Sequence, residues 1–269
     1  MNVGLFETFP VGVVYVGFAL LMLASYEVGY KLGNRGGARQ DKDAQSSIGP
    51  MVGGLLGMLG FVLAFTFSMA ASQYNLRKQN VLEEANTIGT AYLRSDLIDR
   101  QYGTEVKRLL REYVDIRLKA ARGGDLDDAI AKSVEIHGLL WSQVSAAARK
   151  SPSTNTSLMI QSINDVIDMH EKRVTGALRN RIPGSVWIAL SAITALTMIT
   201  MGMQVGFTGE RRLVAVITLS LAFAVLVTLV VDLNRPQSGL ITVGQQAMVD
   251  LQRGIELETK QDLRLRPLQ

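Results

Sequence analysis

The sequence predicts an all-α membrane protein: four transmembrane helices in two hairpins, with a helical-bundle insert between the second and third. Three observations predict it. Windows free of Asp, Glu, Lys and Arg run over residues 8–26, 44–76, 182–209 and 213–231, and each reaches the roughly 20 residues that a helix needs to cross a hydrocarbon core. Residues 77–181 are charged throughout, with apolar positions at helical rather than alternating spacing. A composition of 48% hydrophobic and 19% charged residues is thus the average of two kinds of sequence. The chain accordingly divides into a first transmembrane hairpin (1–76), a soluble helical bundle (77–181), a second hairpin (182–233) and a C-terminal tail (234–269).

The first window reads as a retained span. Nothing basic precedes it, and Glu7 stands where the positive region of a signal peptide belongs. At its end Glu27 is followed by Lys31 at i+4. A carboxylate within the membrane suggests an ion site or proton relay, whereas a Glu27/Lys31 pair at the helix end is an ordinary interfacial contact.

The second window carries the most pattern. At 100° per residue Gly54, Gly57, Phe61, Phe65, Ser68 and Ser72 fall on one stripe, with Gly53, Gly60, Ala64 and Ala71 on a second stripe beside it. Small residues are what close helix contact in lipid requires, so the second stripe is predicted to lie against neighbouring helices. The first stripe has two readings. Its phenylalanines face lipid or a neighbour, or else they surround a symmetry axis and make a hydrophobic constriction that gates by dewetting, with Ser68 and Ser72 where the pore widens.

In the insert, Leu82, Ala85, Ile88 and Ala91, then Val106, Leu109, Leu110 and Val114, recur at helical spacing. Gly123-Gly124-Asp125 ends this segment and caps the next, and the turn from Ser151 to Thr156 offers N-caps for a last helix. About four helices are expected, the first and last continuing the second and third spans outward. His137 and His170 both sit on apolar stripes, which reads them as core or interface residues. Asp125, Asp127 and Asp128 lack the glycine and bidentate glutamate of a calcium loop and read as acids of a helix N-terminus. No phosphate-cradling glycine motif or nucleophile elbow occurs, and the absence of cysteine excludes thiol catalysis and Cys-ligated metal. The expectation is no enzyme, no metal and no cofactor.

After the fourth window Asp232 and Arg235 look like an anchoring pair at the water boundary. The net charge of +4 suits loops facing anionic lipid, and without a basic stripe of interleaved aromatics nucleic acid is not an expected partner. Charge does not decide orientation. Lys31, Arg35, Arg39 and Lys42 of the first short loop oppose a larger basic total on the other side, which includes Arg77, Lys78, Lys172 and Arg173.

The stretch "GFVLAFTFSMAASQY" (residues 60–74), the outgoing helix "NLRKQNVLEEANTIGTAYLRSDLI", "RIPGSVW" before the third span and "DLNRPQSGLITV" after the fourth resemble the bacterial bestrophin-like integral membrane proteins. The likeness extends to bestrophin anion channels through the 2 + 2 plan and "GFVLAF", which is similar to their neck motif. The resemblance implies a homo-oligomer, a pentamer by analogy, in the bacterial inner membrane. It implies small inorganic ions passing a pore neck at Gly57, Phe61 and Phe65, and a bundle and termini that are cytoplasmic. "NRPQSGLITVGQQ" lacks the acidic cluster of calcium-responsive bestrophins, so calcium gating is not implied. Against the channel stands a second class, a non-conducting membrane-anchored helical sensor or scaffold acting through the insert.

Overall fold

The computed structural model describes residues 9–35, 42–178, 180–208, 211, 213–235 and 239–265. The elements are α1 (Val11–Arg35), α2 (Lys42–Arg94), a 3-10 turn (Ser95–Leu97), α3 (Arg100–Ala121), α4 (Leu126–Lys150), α5 (Thr154–Leu178), α6 (Gly184–Thr208), α7 (Leu213–Asn234) and α8 (Gln246–Leu265). No strand occurs among the described residues. By length and composition α1, α2, α6 and α7 are able to cross a membrane. The chain forms two compact units: Met1–Tyr74 with Arg181–Thr242, and Asn75–Asn180 with Val243–Gln269.

In the first unit α1 packs closely on α6 and also along α7. The closeness has a cause in sequence. Gly29 and Gly33 on α1 and Gly202 and Gly206 on α6 are each spaced i, i+4. A methyl group at Gly29 would overlap the Ile199 backbone, at Gly33 that of Met203, at Gly202 that of Tyr26 and at Gly206 that of Tyr30. Two small-xxx-small seams therefore meet face to face, the arrangement that lets helices touch where lipid provides no hydrophobic drive. Around this seam Phe18, Met22, Tyr26, Leu190, Met198, Ala224 and Val227 form the core, and α2 adds Leu59, Leu63 and Ala70.

The end of α7 is tied by its own polar residues. The buried Asp232 carboxylate accepts the backbone N–H groups of Leu240 (2.9 and 3.1 Å) and Ile241 (2.8 Å). Asn234 Oδ1 accepts the Ile182 N–H at 3.1 Å, and Arg235 donates to the Phe9 carbonyl. Gly239 makes room for the first of these contacts. Its φ of 146° is one that side chains avoid, and a methyl there would strike the Asp232 carboxylate.

The second unit joins the end of α2 to α3, α4, α5 and α8. Ile88, Leu110, Tyr113, Leu140, Ile163, Val166 and Met248 are fully buried at its centre. Helix ends follow local chemistry. Asp99 caps α3 by accepting the Gln101 N–H at 3.0 Å, and Asp125 caps α4 by accepting those of Asp127 (3.0 Å) and Asp128 (3.3 Å). At α5 the bonds are reciprocal: Ser153 N–H to Thr156 Oγ1 at 2.9 Å and Thr156 N–H to Ser153 Oγ at 3.2 Å, a capping box.

One expectation is corrected here. The outward continuation of the second span holds, since α2 runs unbroken to Arg94, but the last bundle helix does not run into the third span: α5 ends at Leu178, residues 180–183 are non-helical, and α6 begins at Gly184. Pro183 explains the break, because it has no N–H to donate and pushes Ile182 away from helical backbone. The tail also contributes a helix that periodicity did not announce. α8 buries Met248 and Ile255, places Glu258 2.9 Å from Lys107, and has Gln252 donating to Asp115 at 2.6 Å.

Candidate functional site

The membrane-facing part of α2 has two unlike sides. Leu59, Leu63, Thr66 and Ala70 are buried at i, i+4, i+7, i+11, and Thr66 satisfies its hydroxyl on the Val62 carbonyl of its own helix at 2.7 Å. On the other side Gly54, Gly57, Phe61, Phe65, Ser68 and Ser72 are all exposed, Phe61 to 73% and Phe65 to 61%. Gly53 and Ala64 are exposed as well, and Gly60 and Ala71 are half-buried. No atom lies within 4 Å of where a Cβ would stand at Gly53, Gly54, Gly57 or Gly60. The chain thus leaves both sequence-derived stripes without a partner of its own beside those glycines.

Other apolar faces are open too, but their chemistry differs. On α7 the exposed positions Val214, Ile217, Leu221 and Val225 are aliphatic, as is Ile188 on α6. Branched aliphatic chains suit lipid tails. Bare glycines do not, because each costs about 1 kcal/mol of helix propensity relative to alanine unless something approaches the backbone there. The face of α2, with its exposed phenylalanines and four open glycines, therefore differs chemically from the aliphatic faces of α6 and α7.

At one end of the same unit Glu27 Oε1 lies 3.9 Å from Lys31 Nζ and 3.2 Å from Arg211 Nη2, and the Arg211 guanidinium stands 3.7 Å from the centre of the Tyr30 ring. Glu27 thus sits between two cations, one of which the sequence reading had not joined to it. The Asp232 and Arg235 bonds described above run to backbone groups of Leu240, Ile241 and Phe9.

The second unit contains a polar cluster that sequence reading did not assemble. Glu84 of α2, fully buried, pairs with Arg173 of α5 and with Arg117 of α3, whose Nε lies 3.2 Å away, and accepts the Tyr113 hydroxyl at 2.8 Å. Tyr113 also lies 3.3 Å from Nδ1 of His170, whose ring meets that of His137 edge-on at 4.9 Å. Tyr113 has one proton, and Glu84 takes it, so Nδ1 of His170 must be the donor in that bond. Burial, and then the nearby Arg117, lower both histidines to about 4. Burial, with the negative charge of Glu84 beside it, raises the Tyr113 phenol well above its usual range. Among the described residues no group of three His, Cys, Asp or Glu is placed to hold a metal ion.

Comparison with known proteins now adds to the geometry. The family model of the bestrophin-like domain matches residues 17–248. The chain belongs to the bestrophin-like family. With four helices apolar and long enough to span, it is a membrane protein. The fold is similar to the crystal structure of a point-mutated bacterial bestrophin homolog from Klebsiella pneumoniae, with a TM-score of 0.59 at 13% identity, covering 93% of this chain and 98% of that one. No curated protein sequence matches the chain. The family match takes in α2, the helical insert and the end of α7, the segments whose sequence carried the resemblance.

What sequence reading missed had partial signals. The glycine pairs of α1 and α6 stand at visible i, i+4 spacing. Glu84 interrupts the apolar stripe of Val81, Ala85 and Ile88, and Arg173 follows His170 by three residues. Neither signal names its partner, which comes from another helix.

Proposed function

We propose that this bestrophin-like chain is one subunit of a homo-oligomeric ion channel whose conduction path is lined by α2. One observation carries the proposal: a spanning helix presents glycines, phenylalanines and serines outward, and at Gly53, Gly54, Gly57 and Gly60 an added methyl would meet nothing among the described residues. A ring of copies gives that face a use. Gly53, Gly60, Ala64 and Ala71 take the approach of a neighbouring helix. Gly57, Phe61 and Phe65 form an apolar neck, and Ser68 and Ser72 open it to water. Four helices of a single chain enclose no path of their own, which is why symmetry is needed.

Family membership supports the finer parts of this reading: a 2 + 2 hairpin plan around the insert, divided as 1–76, 77–181, 182–233 and 234–269, five subunits, anions as the permeating species, and an inner-membrane setting with the bundle and termini cytoplasmic. The Glu27–Lys31–Arg211 group fits a short outer loop in that orientation, as an interfacial pairing rather than an ion relay. Asp232 and Arg235 act as anchors at the opposite edge.

Purified protein in planar bilayers tests the proposal. Single-channel currents in chloride salts are expected, with conductance that changes in Phe61→Ala and Phe65→Ala. Silence from the unmodified chain and from both variants in every common salt would overturn it. That result would favour the second reading, a non-conducting sensor or scaffold, which the dense polar cluster of the soluble unit supports.

A further inference from the structure

The Glu84 cluster brings together more positive than negative charge. One carboxylate, Glu84 on α2, faces two guanidinium groups, Arg117 on α3 and Arg173 on α5. The groups around the imidazoles, taken element by element, are Glu84 from α2, Tyr113 and Arg117 from α3, His137 itself from α4, and His170 and Arg173 from α5. Among the described residues of α8 and the segment before it, the neutral Gln245 reaches the cluster, accepting from Arg173 at 3.3 Å. On α8, Glu258 pairs with Lys107 and Asp250 with Arg253, away from the cluster.

Both histidines are buried, and neither Nε2 has a hydrogen-bond partner among the described residues. For His170 this follows from the chain of bonds. Its Nδ1–H is spent on Tyr113, so Nε2 holds a lone pair with nothing donating to it. Two proton acceptors thus stand beside an arginine pair whose single counter-charge is already shared.

We propose that this cluster is an acid-sensitive latch of the soluble unit: with both imidazoles neutral it holds α4 and α5 against α2 and α3, and protonation of either ring drives α4 and α5 away from Arg117 of α3. The site resists a further cation, since burial penalises it and no free carboxylate compensates. The direction with pH follows from linkage. The histidines are depressed to about 4 in the closed unit and would return towards their usual 6.5 or so once exposed. The opened form therefore binds more protons between those values. Closure is at full strength above about pH 6.5 and weakens as the pH falls from there to about 4, levelling off below. The latch does not depend on conduction, and a silent protein could possess it.

Hydrogen exchange on the full chain in lipid nanodiscs provides the test. After correction for intrinsic rates, amides of α4 and α5 should exchange about tenfold or more faster at pH 4.5 than at pH 7.5, with α1, α6 and α7 unchanged. The double variant His137→Gln, His170→Gln should lose that acceleration. An unmodified chain that shows no acceleration, or a double variant that keeps it, would overturn the latch. If the double variant does not fold, imidazole NMR on the unmodified chain decides. Both rings titrating well below the usual histidine value support the latch, and either one titrating near 6.5 overturns it.

Discussion

Two sets of glycines lie in the same membrane unit and are used in opposite ways. Gly29 and Gly33 on α1 face Gly202 and Gly206 on α6, and a methyl at any of them would collide with backbone of the partner helix. At Gly53, Gly54, Gly57 and Gly60 on α2 no other described part of the chain lies within 4 Å of the place a methyl would occupy. The first set accounts for how one chain folds. The second accounts for nothing inside the chain, although it carries the same cost in helix propensity. A residue chosen for close approach and left without a neighbour points outside the chain, and in the proposed channel that neighbour is another copy.

Substitutions sharpen this comparison, beginning with the largest effect. Gly202→Leu puts a branched side chain into the Tyr26 backbone and should cost 3 kcal/mol or more, about the upper end of overpacking in a core. The expected readout is loss of the monodisperse species on size exclusion. Gly60→Leu should do something different. In a lone subunit the leucine gains helix propensity, roughly 0.8 kcal/mol, and its Cβ meets open space, so the chain still folds while the oligomer falls to monomers in native mass spectrometry. If Gly60→Leu instead assembles normally, the second stripe of α2 is not a packing face. Phe65→Ala has the smallest structural effect of the three. Assembly is retained, and single-channel conductance rises as the neck loosens. Loss of assembly in Phe65→Ala, with Gly60→Leu intact, would exchange the roles of the two stripes.

How far the sequence made this legible depends on whether a feature is local. The four charge-free windows coincide with α1, α2, α6 and α7 because twenty apolar residues in a row carry their own instruction. The cap at Asp125 and the capping turn at Ser153 are also local, and both stand where their residue types place them. Pro183 was visible, yet the last bundle helix was expected to pass through it. There the apolar run before and after outweighed the missing N–H. His137 and His170 were read as buried, which they are, but burial says nothing about Glu84, Tyr113 and Arg117 arriving from α2 and α3. In the same way Gly29 and Gly202 each announce a close contact without naming the other. The two stripes of α2 were legible as stripes, but what the proposal sets against them is another copy, which one sequence does not show.

The chain has no cysteine, so a single introduced thiol is a clean reporter of what lies opposite it. The most direct test of the account compares Phe61→Cys with Val214→Cys, both in native membranes under mild oxidation. Position 61 is 73% exposed and position 214 is 81% exposed, so exposure alone does not separate them. The account predicts that Phe61→Cys gives a covalent dimer within an intact oligomer and that Val214→Cys, facing lipid, stays monomeric. A monomeric Phe61→Cys beside a cross-linked Val214→Cys would turn the phenylalanine face to lipid and contradict the pore.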